Sequence, residues 1–570
     1  MAEEVWMLQT KKADFKQIGA RFRIDPVTAR IIRNRGIEGE AAIDRYLNGT
    51  LDDLYDPMLL KDMERAVSIL CEAVDTGKKI RIVGDYDIDG VCSTYILLQA
   101  FERLGSDVDF EIPDRIKDGY GINESIIEQA HADGVEVILT CDNGISAFHQ
   151  VELAKKYGMT VVITDHHEVP LDGEKEKIPP ADAVIDPKQA DCPYPFPEIC
   201  GAVVAYKLVQ VLYARRGVPQ MEWLDLLEFA AIATVGDVMK LQDENRILVK
   251  YGLKKMAQTK NLGLRRLAEK NNLDLGAITA YHIGFVIGPC LNAGGRLKTA
   301  KEALALLRAQ SDEEAERLAE ELKELNDTRK DMTEQGTEAA KLQVESWYQK
   351  DKVLVVFLPE CHESLAGIIA GRLREYYQKP AIVLTRGEEA VKGSGRSIDE
   401  YHMFKKLTEV SDLLLKFGGH PLAAGLSLEE KNIDEFRRRL NENAGLTEED
   451  FKAKVWIDVP MPVGYVTERL VRELSCLEPF GQGNEKPLFA EKSLRIRASR
   501  VLGRNRNVVK MTLEETDGHA IEALYFGDGT AFEEERAGRR EIDVVYYPDI
   551  NEYNGRKTLQ AVIRRYKFRG

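Results

Sequence analysis

The chain has 570 residues, 44% of them hydrophobic and 31% charged, with a formal net charge of −16. This is the composition of several packed domains; it excludes global disorder, and no apolar run reaches membrane-spanning length. The eight cysteines form no CxxC pair and the opening MAEEVWMLQTKK has no apolar signal core, so a cytoplasmic protein with reduced thiols and no membrane association is expected.

Residues 1–50 read as a helical lead-in without identifiable chemistry. Over 51–310 the segments KKIRIVGD, VCSTYILLQAFERLG, GVEVILTCDNG, AFHQVELAKKYG, MTVVITDHH and ADAVIDP alternate β-branched runs with helical ones. That alternation predicts a parallel sheet with crossover helices, and residues 221–310 read as mostly helical. Residues 311–350 carry the period of one long helix, with Ala315, Leu318, Leu322, Leu325 and Met332 as its apolar stripe. Ser311 and Glu314 are spaced for a capping box. KVLVVFLPE opens a second α/β unit over 351–455. Residues 456–570 turn to strands, with Asn554-Gly555 placed for a tight hairpin, and read as a small β-barrel. The fold class is thus α/β: two α/β lobes joined by a long helix, plus a C-terminal barrel.

Charge is uneven. Residues 492–510 hold seven Lys/Arg and no acid; 491–570 carry a net +3, leaving −19 for the rest. A basic barrel on an acidic body is compatible with local polyanion binding.

The stretch GDYDIDG (84–90) sets Asp85, Asp87 and Asp89 at alternate positions after an apolar strand. Three carboxylates so close resist common ionisation unless a cation neutralises them. An EF-hand is excluded, because loop position twelve counted from Asp85 is Ile96, where a bidentate glutamate is required. In an extended segment, residues two apart share a face, so all three could point one way. Two more strand ends deliver the same chemistry: VILTCDNG ends in Asp142, and VVITDHH in Asp165, His166 and His167. Asp237, in IATVGDVMKL, adds a further acid. In open parallel sheets, ligands sit beyond the carboxyl ends of the strands. Carboxylates with an imidazole and no thiolate favour Mn²⁺ or Mg²⁺. The number of acids suits two ions, and paired ions suit displacement at phosphorus.

At TDHHEVP the sequence resembles the DHH phosphoesterase superfamily, and further motifs resemble its RecJ-type single-strand exonucleases. These are GDYDIDG, PDRIKDGYGIN, CDNGIS, ATVGDVMKL, GPCLNAGGRL, GSGRS, GGHPLAAG and LEPFGQGNEKPLF. The resemblance implies a DHH domain, a DHH-associated domain and an oligonucleotide-binding (OB) barrel. It also implies a two-metal 5′-to-3′ exonuclease that degrades single-stranded DNA to 5′-mononucleotides in repair and recombination. Carried over by motif, one ion takes Asp85, Asp87 and Asp142; the other takes Asp89, Asp142, His166 and Asp237. Asp165 orients its neighbours and His167 contacts the scissile phosphate. Ser394 and Arg396, with Arg115 opposite, resemble a terminal-phosphate clamp. Asn292, Arg296, His362 and His420 line the same cleft. Single-stranded DNA is the implied partner, with a helicase and a single-strand-binding protein. Cys290 stands where the family commonly carries Arg, which is expected to remove one phosphate contact. Tyr525 and Phe526 are candidates for base stacking, with barrel core as the competing assignment. Two other readings compete for the whole chain: a DHH hydrolase of dinucleotides or pyrophosphate, and a catalytically silent single-strand-binding scaffold.

Overall fold

The computed structural model describes residues 4–553 and 555–569. Two units divide the chain: residues 54–240 with 244–453, and residues 4–53 with 241–243 and 454–570.

The first unit opens on five strands, β1 (Ile80–Val83), β2 (Val108–Glu111), β3 (Val137–Cys141), β4 (Thr160–Thr164) and β5 (Ala183–Ile185). All pairings are parallel, in the order β2-β1-β3-β4-β5. The central strands are buried along their length, which is why they read as continuous apolar runs rather than alternating ones. Helix α1 (Ile88–Arg103) follows β1 and is buried almost all round, packed by α2 (Gly201–Arg215) and α3 (Leu227–Gly236). Helix α4 (Gly288–Leu297) precedes the long helix α5 (Asp312–Gln343).

At the start of α5, Ser311 Oγ accepts from the Glu314 amide at 3.2 Å, but Glu314 Oε2 accepts from the Gln310 amide instead of closing back on Ser311. The expected capping box is therefore half made. Beyond α5 lie β6 (Leu354–Phe357), α6 (Ala366–Tyr377), β7 (Ala381–Arg386), β8 (Val391–Arg396), β9 (Leu414–Gly419) and β10 (Ala423–Leu428). They form a sheet ordered β9-β10-β8-β7-β6 in which only β6 and β7 run parallel.

The second unit contains a barrel of β11 (Phe489–Leu502), β12 (Val508–Glu514), β13 (Ala520–Phe526), β14 (Glu541–Tyr553) and β15 (Arg556–Phe568). The order β11-β12-β13-β15-β14 closes through pairing of β14 with β11. Tyr553 and Arg556 pair across the last hairpin; Asn554, expected at its turn, lies outside the described residues. Tyr525 packs into the barrel core beside Phe532 and Tyr566, whereas Phe526 is 60% exposed.

The first fifty residues differ from the expected separate lead-in. Ile31, Ile32, Ile43 and Tyr46 share one core with Phe489, Val509 and Tyr546 of the barrel. Arg35 pairs with Asp458 at 2.7 Å, and the strand Glu4–Leu8 pairs with Ala453–Ile457. An amphipathic stripe shows that these helices bury one face, but not against what.

Candidate metal centre

Strand β1 stops at Val83, so the three aspartates of GDYDIDG do not share an extended face as the period-2 reading expected. They converge because the chain turns from strand into helix. Asp87 is the N-cap of α1: its Oδ1 accepts from the amides of Asp89 (2.9 Å) and Gly90 (3.1 Å). Asp85 lies in the turn and Asp89 in the first helical turn. Gly90 is required here, since a Cβ at that position would lie 2.4 Å from the Asp85 carbonyl oxygen.

Asp142 follows β3 with φ 61°, a left-handed conformation that costs a non-glycine residue energy. Asn143 anchors this turn, donating to the carbonyls of Val83 (3.0 Å) and Cys141 (2.9 Å). Asp165 and His166 follow β4, and Asp237 ends α3. The amides of Gly201 and Ala202, at the start of α2, donate to Asp89 Oδ2 (2.7 Å) and Oδ1 (2.8 Å), a favourable placement for a carboxylate.

The six side chains meet. His166 Nε2 lies 3.1 Å from Asp142 Oδ1, 3.4 Å from Asp89 Oδ2 and 3.8 Å from Asp237 Oδ2. Within each of the sets Asp85/Asp87/Asp142 and Asp89/His166/Asp237, one donor atom per residue lies within 4.8 Å of the others. Burial and mutual repulsion raise the carboxyls of Asp85, Asp87 and Asp142, and push Asp237 up to about 8. Burial lowers His166. Oxygen-rich donors with one unprotonated imidazole fit a hard divalent pair.

Asp165 is a hub. Its Oδ2 accepts from the Ile145 amide (2.9 Å), and its Oδ1 from the amide of His166 (2.7 Å) and from His167 Nδ1 (2.8 Å). Burial would raise Asp165, yet the hydrogen bond and charge of His167 hold it low. Burial would lower His167, yet Asp165 and the other acids hold it up at about 9.

Across the same unit, Arg396 Nη1 donates to Ser394 Oγ at 3.2 Å on β8. Gly367, near the start of α6, is what lets the helix approach: a Cβ there would lie 2.8 Å from Ser394 Oγ. Arg115 lies 4.7 Å above the Tyr86 ring. Arg296 Nη1 donates to the Ser364 carbonyl (3.1 Å), and His362 Nδ1 meets Ser364 Oγ at 2.7 Å. Asn292 and Arg296 line one cavity. His420 is exposed just past the end of β9, where its amide donates to the Ala423 carbonyl; among the described residues no side-chain hydrogen bond or ion pair ties it to the carboxylates.

Sequence reasoning missed three contributors. Tyr120 donates to the Asp142 carbonyl at 2.8 Å and lies 3.0 Å from His167 Nδ1; its signal was its place inside PDRIKDGYGIN. Asp186, just past β5, is fully buried and pushed up to about 7 by burial and by Asp165. It was legible as one more acid after a strand. Gly201 acts through its backbone and left no sign in residue chemistry.

A parallel sheet whose strand ends bring four carboxylates and an imidazole to a fifth carboxylate at a helix end, followed by a second mixed sheet, defines a metal-dependent DHH phosphoesterase. Family models match the DHH family N-terminal domain at residues 79–234, the DHHA1 domain at 350–445 and the RecJ OB domain at 457–565. The single-stranded-DNA-specific exonuclease RecJ of Bacillus subtilis is 36% identical over 98% of this chain and 70% of its own length. The Haemophilus influenzae enzyme of that name is 33% identical over 96% and 97%. The crystal structure of Thermus thermophilus RecJ in complex with Mn²⁺ superposes with a TM-score of 0.84 at 28% identity, covering 99% of this chain and 79% of that one. The chain belongs to the RecJ family of single-stranded-DNA-specific exonucleases.

Proposed function

We propose that this protein is a two-metal 5′-to-3′ exonuclease that degrades single-stranded DNA to 5′-mononucleotides. The observation that carries this reading is the pair of donor sets meeting at Asp142. Asp85, Asp87 and Asp142 would hold one ion, and Asp89, Asp142, His166 and Asp237 the other. When bound, Mn²⁺ or Mg²⁺ supplies charge neutralisation and activation of water.

The chain's own groups orient the substrate. Asp165 fixes the ring of His167 through Nδ1, and the Tyr120 hydroxyl, 3.2 Å from Nε2, shares the ring nitrogen that would face a scissile-phosphate oxygen. Arg115, Ser394 and Arg396 would grip the terminal phosphate, which sets polarity; a planar guanidinium fits its oxygens two at a time. Asn292, Arg296, His362 and His420 would line the path of the strand. The basic strand β11 and the turn after it, with Arg504 and Arg506, together with exposed Phe526, are suited to an unpaired backbone and its bases.

An unpaired substrate presupposes strand separation, so a helicase and a single-strand-binding protein are the proposed partners, in repair and recombination. Eight free cysteines support a reducing, cytoplasmic setting, and no helix among the described residues is long and apolar enough to cross a membrane. Retention of every metal-site carboxylate speaks against a silent scaffold, and the barrel against a hydrolase of dinucleotides.

Digestion of 5′- and 3′-labelled single strands with Mn²⁺, Mg²⁺ or chelator tests the proposal. Release of labelled mononucleotide first from the 5′ end, only with metal, is expected; metal-independent release or 3′ polarity overturns it.

A further inference from the structure

The acidic cluster has a cationic counterpart in the same unit. Arg115, Arg296, Arg329 and Arg396 come from the segment after β2, from α4, from α5 and from β8, and none of them pairs with a carboxylate among the described residues. Burial and repulsion from Arg115, Arg329 and Arg396 pull Arg296 down to about 10, while burial and Arg372 lower Arg329. Guanidiniums gathered without acids call for an anion from outside. Arg115 and Arg396 already have one in the terminal phosphate. Arg329 does not.

Arg329 lines a cavity of about 110 Å³ together with Asn292, Arg296 and the glycines 236, 284 and 288. That volume is on the order of three or four waters. Gly236 directly precedes Asp237, which puts the cavity wall next to the second donor set. Arg329 is held by one edge: its Nε and Nη2 donate to Asn326 Oδ1 at 3.2 and 2.8 Å. Asn326 is itself buried and donates through Nδ2 to Cys290 Sγ at 3.3 Å. Cys290 thus has a role inside the fold. Its sulfur fixes an amide that fixes a guanidinium, and Nη1 of Arg329 makes no hydrogen bond among the described residues.

We propose that Arg329, oriented by the Cys290–Asn326 relay, binds with Arg296 an internal phosphodiester of the DNA strand, at a subsite separate from the terminal-phosphate clamp. The inference rests on the single-strand exonuclease reading. Arg396 is tied to Ser394 on β8 and Arg329 to Asn326 on α5, and Arg296 of α4 is repelled by both, an arrangement suited to two phosphates with Arg296 between them.

The test is a cycle between side chain and backbone. Single-strand oligonucleotides carrying one uncharged methylphosphonate linkage, stepped along the strand, are bound in chelator by the wild type and by Arg329→Ala. Arg329→Ala should weaken binding roughly tenfold, equally for strands with a 5′-phosphate or a 5′-hydroxyl, and lower the salt dependence by about 0.7 in log–log slope. At one internal linkage the methylphosphonate should weaken the wild type but not Arg329→Ala. Arg329→Lys, which keeps the charge without the fork, should recover part of the loss. Effects that multiply at every linkage, or a loss confined to 5′-phosphorylated strands, overturn the subsite. Failure of the wild type to bind or cut single strands would instead sink the exonuclease reading, so the two failures are distinguishable.

Discussion

The amide of Gly201 donates to Asp89 Oδ2 at 2.7 Å, and a Cβ on Gly201 would lie 2.7 Å from the Cβ of Asp142. One glycine therefore sits against a member of each proposed donor set. Gly201→Ala must push α2 or β3 aside. The expected outcome is a loss of nuclease rate of about a hundredfold, because displacement of reacting groups by about 1 Å costs that much. Stability should fall only by about 1–3 kcal/mol. Steady-state rates beside a melting curve check both; an unchanged rate would mean the close approach is irrelevant to the site.

Asp142→Asn removes the carboxylate that both donor sets approach. Cleavage should drop by roughly a thousandfold or more, while single-strand binding persists. Mn²⁺ should raise the melting midpoint of the wild type, by about 2.7 kcal/mol of stabilisation at a hundred times its Kd, and raise that of Asp142→Asn much less. Without metal the order reverses: the variant should melt higher, since one like charge has gone. Calorimetry with and without Mn²⁺ reads out the melting shifts, and cleavage and strand-binding assays on the same samples read out the rest.

Arg396 stands beside Ser394 with Gly367 keeping α6 close. Arg396→Ala should abolish the preference for 5′-phosphorylated over 5′-hydroxyl strands and leave cleavage of the latter largely intact. Arg396→Lys should not restore the preference, because a point charge cannot replace the fork. Competition between the two strands in one digestion measures it.

Glu228 on α3 gives a pH signature of stability. It is buried, its Oε1 accepts from Thr259 Oγ1 at 2.7 Å, its Oε2 has no hydrogen-bond partner among the described residues, and burial pushes it up to about 7. The folded protein thus holds a proton that the unfolded chain releases above about 4.5. Stability is lost as pH rises from there through about 7. Glu228→Gln should be more stable than wild type at pH 8, by up to about 3 kcal/mol. The two should converge near pH 4.5. A difference independent of pH would contradict this account.

The alternation of the first lobe was legible because buried parallel strands have no choice but to be apolar throughout. The acids at their ends were legible for the converse reason, since little else explains charges beside such strands. Their convergence was read through the wrong geometry. Asp85, Asp87 and Asp89 meet through a turn and an N-cap, and the glycines flanking them were the clue to a chain leaving the extended state. Gly201 and the Asn326–Cys290 relay act through backbone and through contacts distant in sequence, so residue type alone carries no trace of them. The pairing of Arg35 with Asp458 is of the same kind.

That the helices of the first fifty residues share a core with the barrel at the other end of the chain has a consequence for biogenesis. On the ribosome those helices are made before the nuclease body and then wait, their apolar faces uncovered, while some four hundred residues of that body are translated. The body can fold during that interval, whereas the strand-binding unit closes only when the last strands are released. The metal-site lobe and the proposed phosphate contacts are thus expected to be in place before the barrel is complete in each nascent molecule.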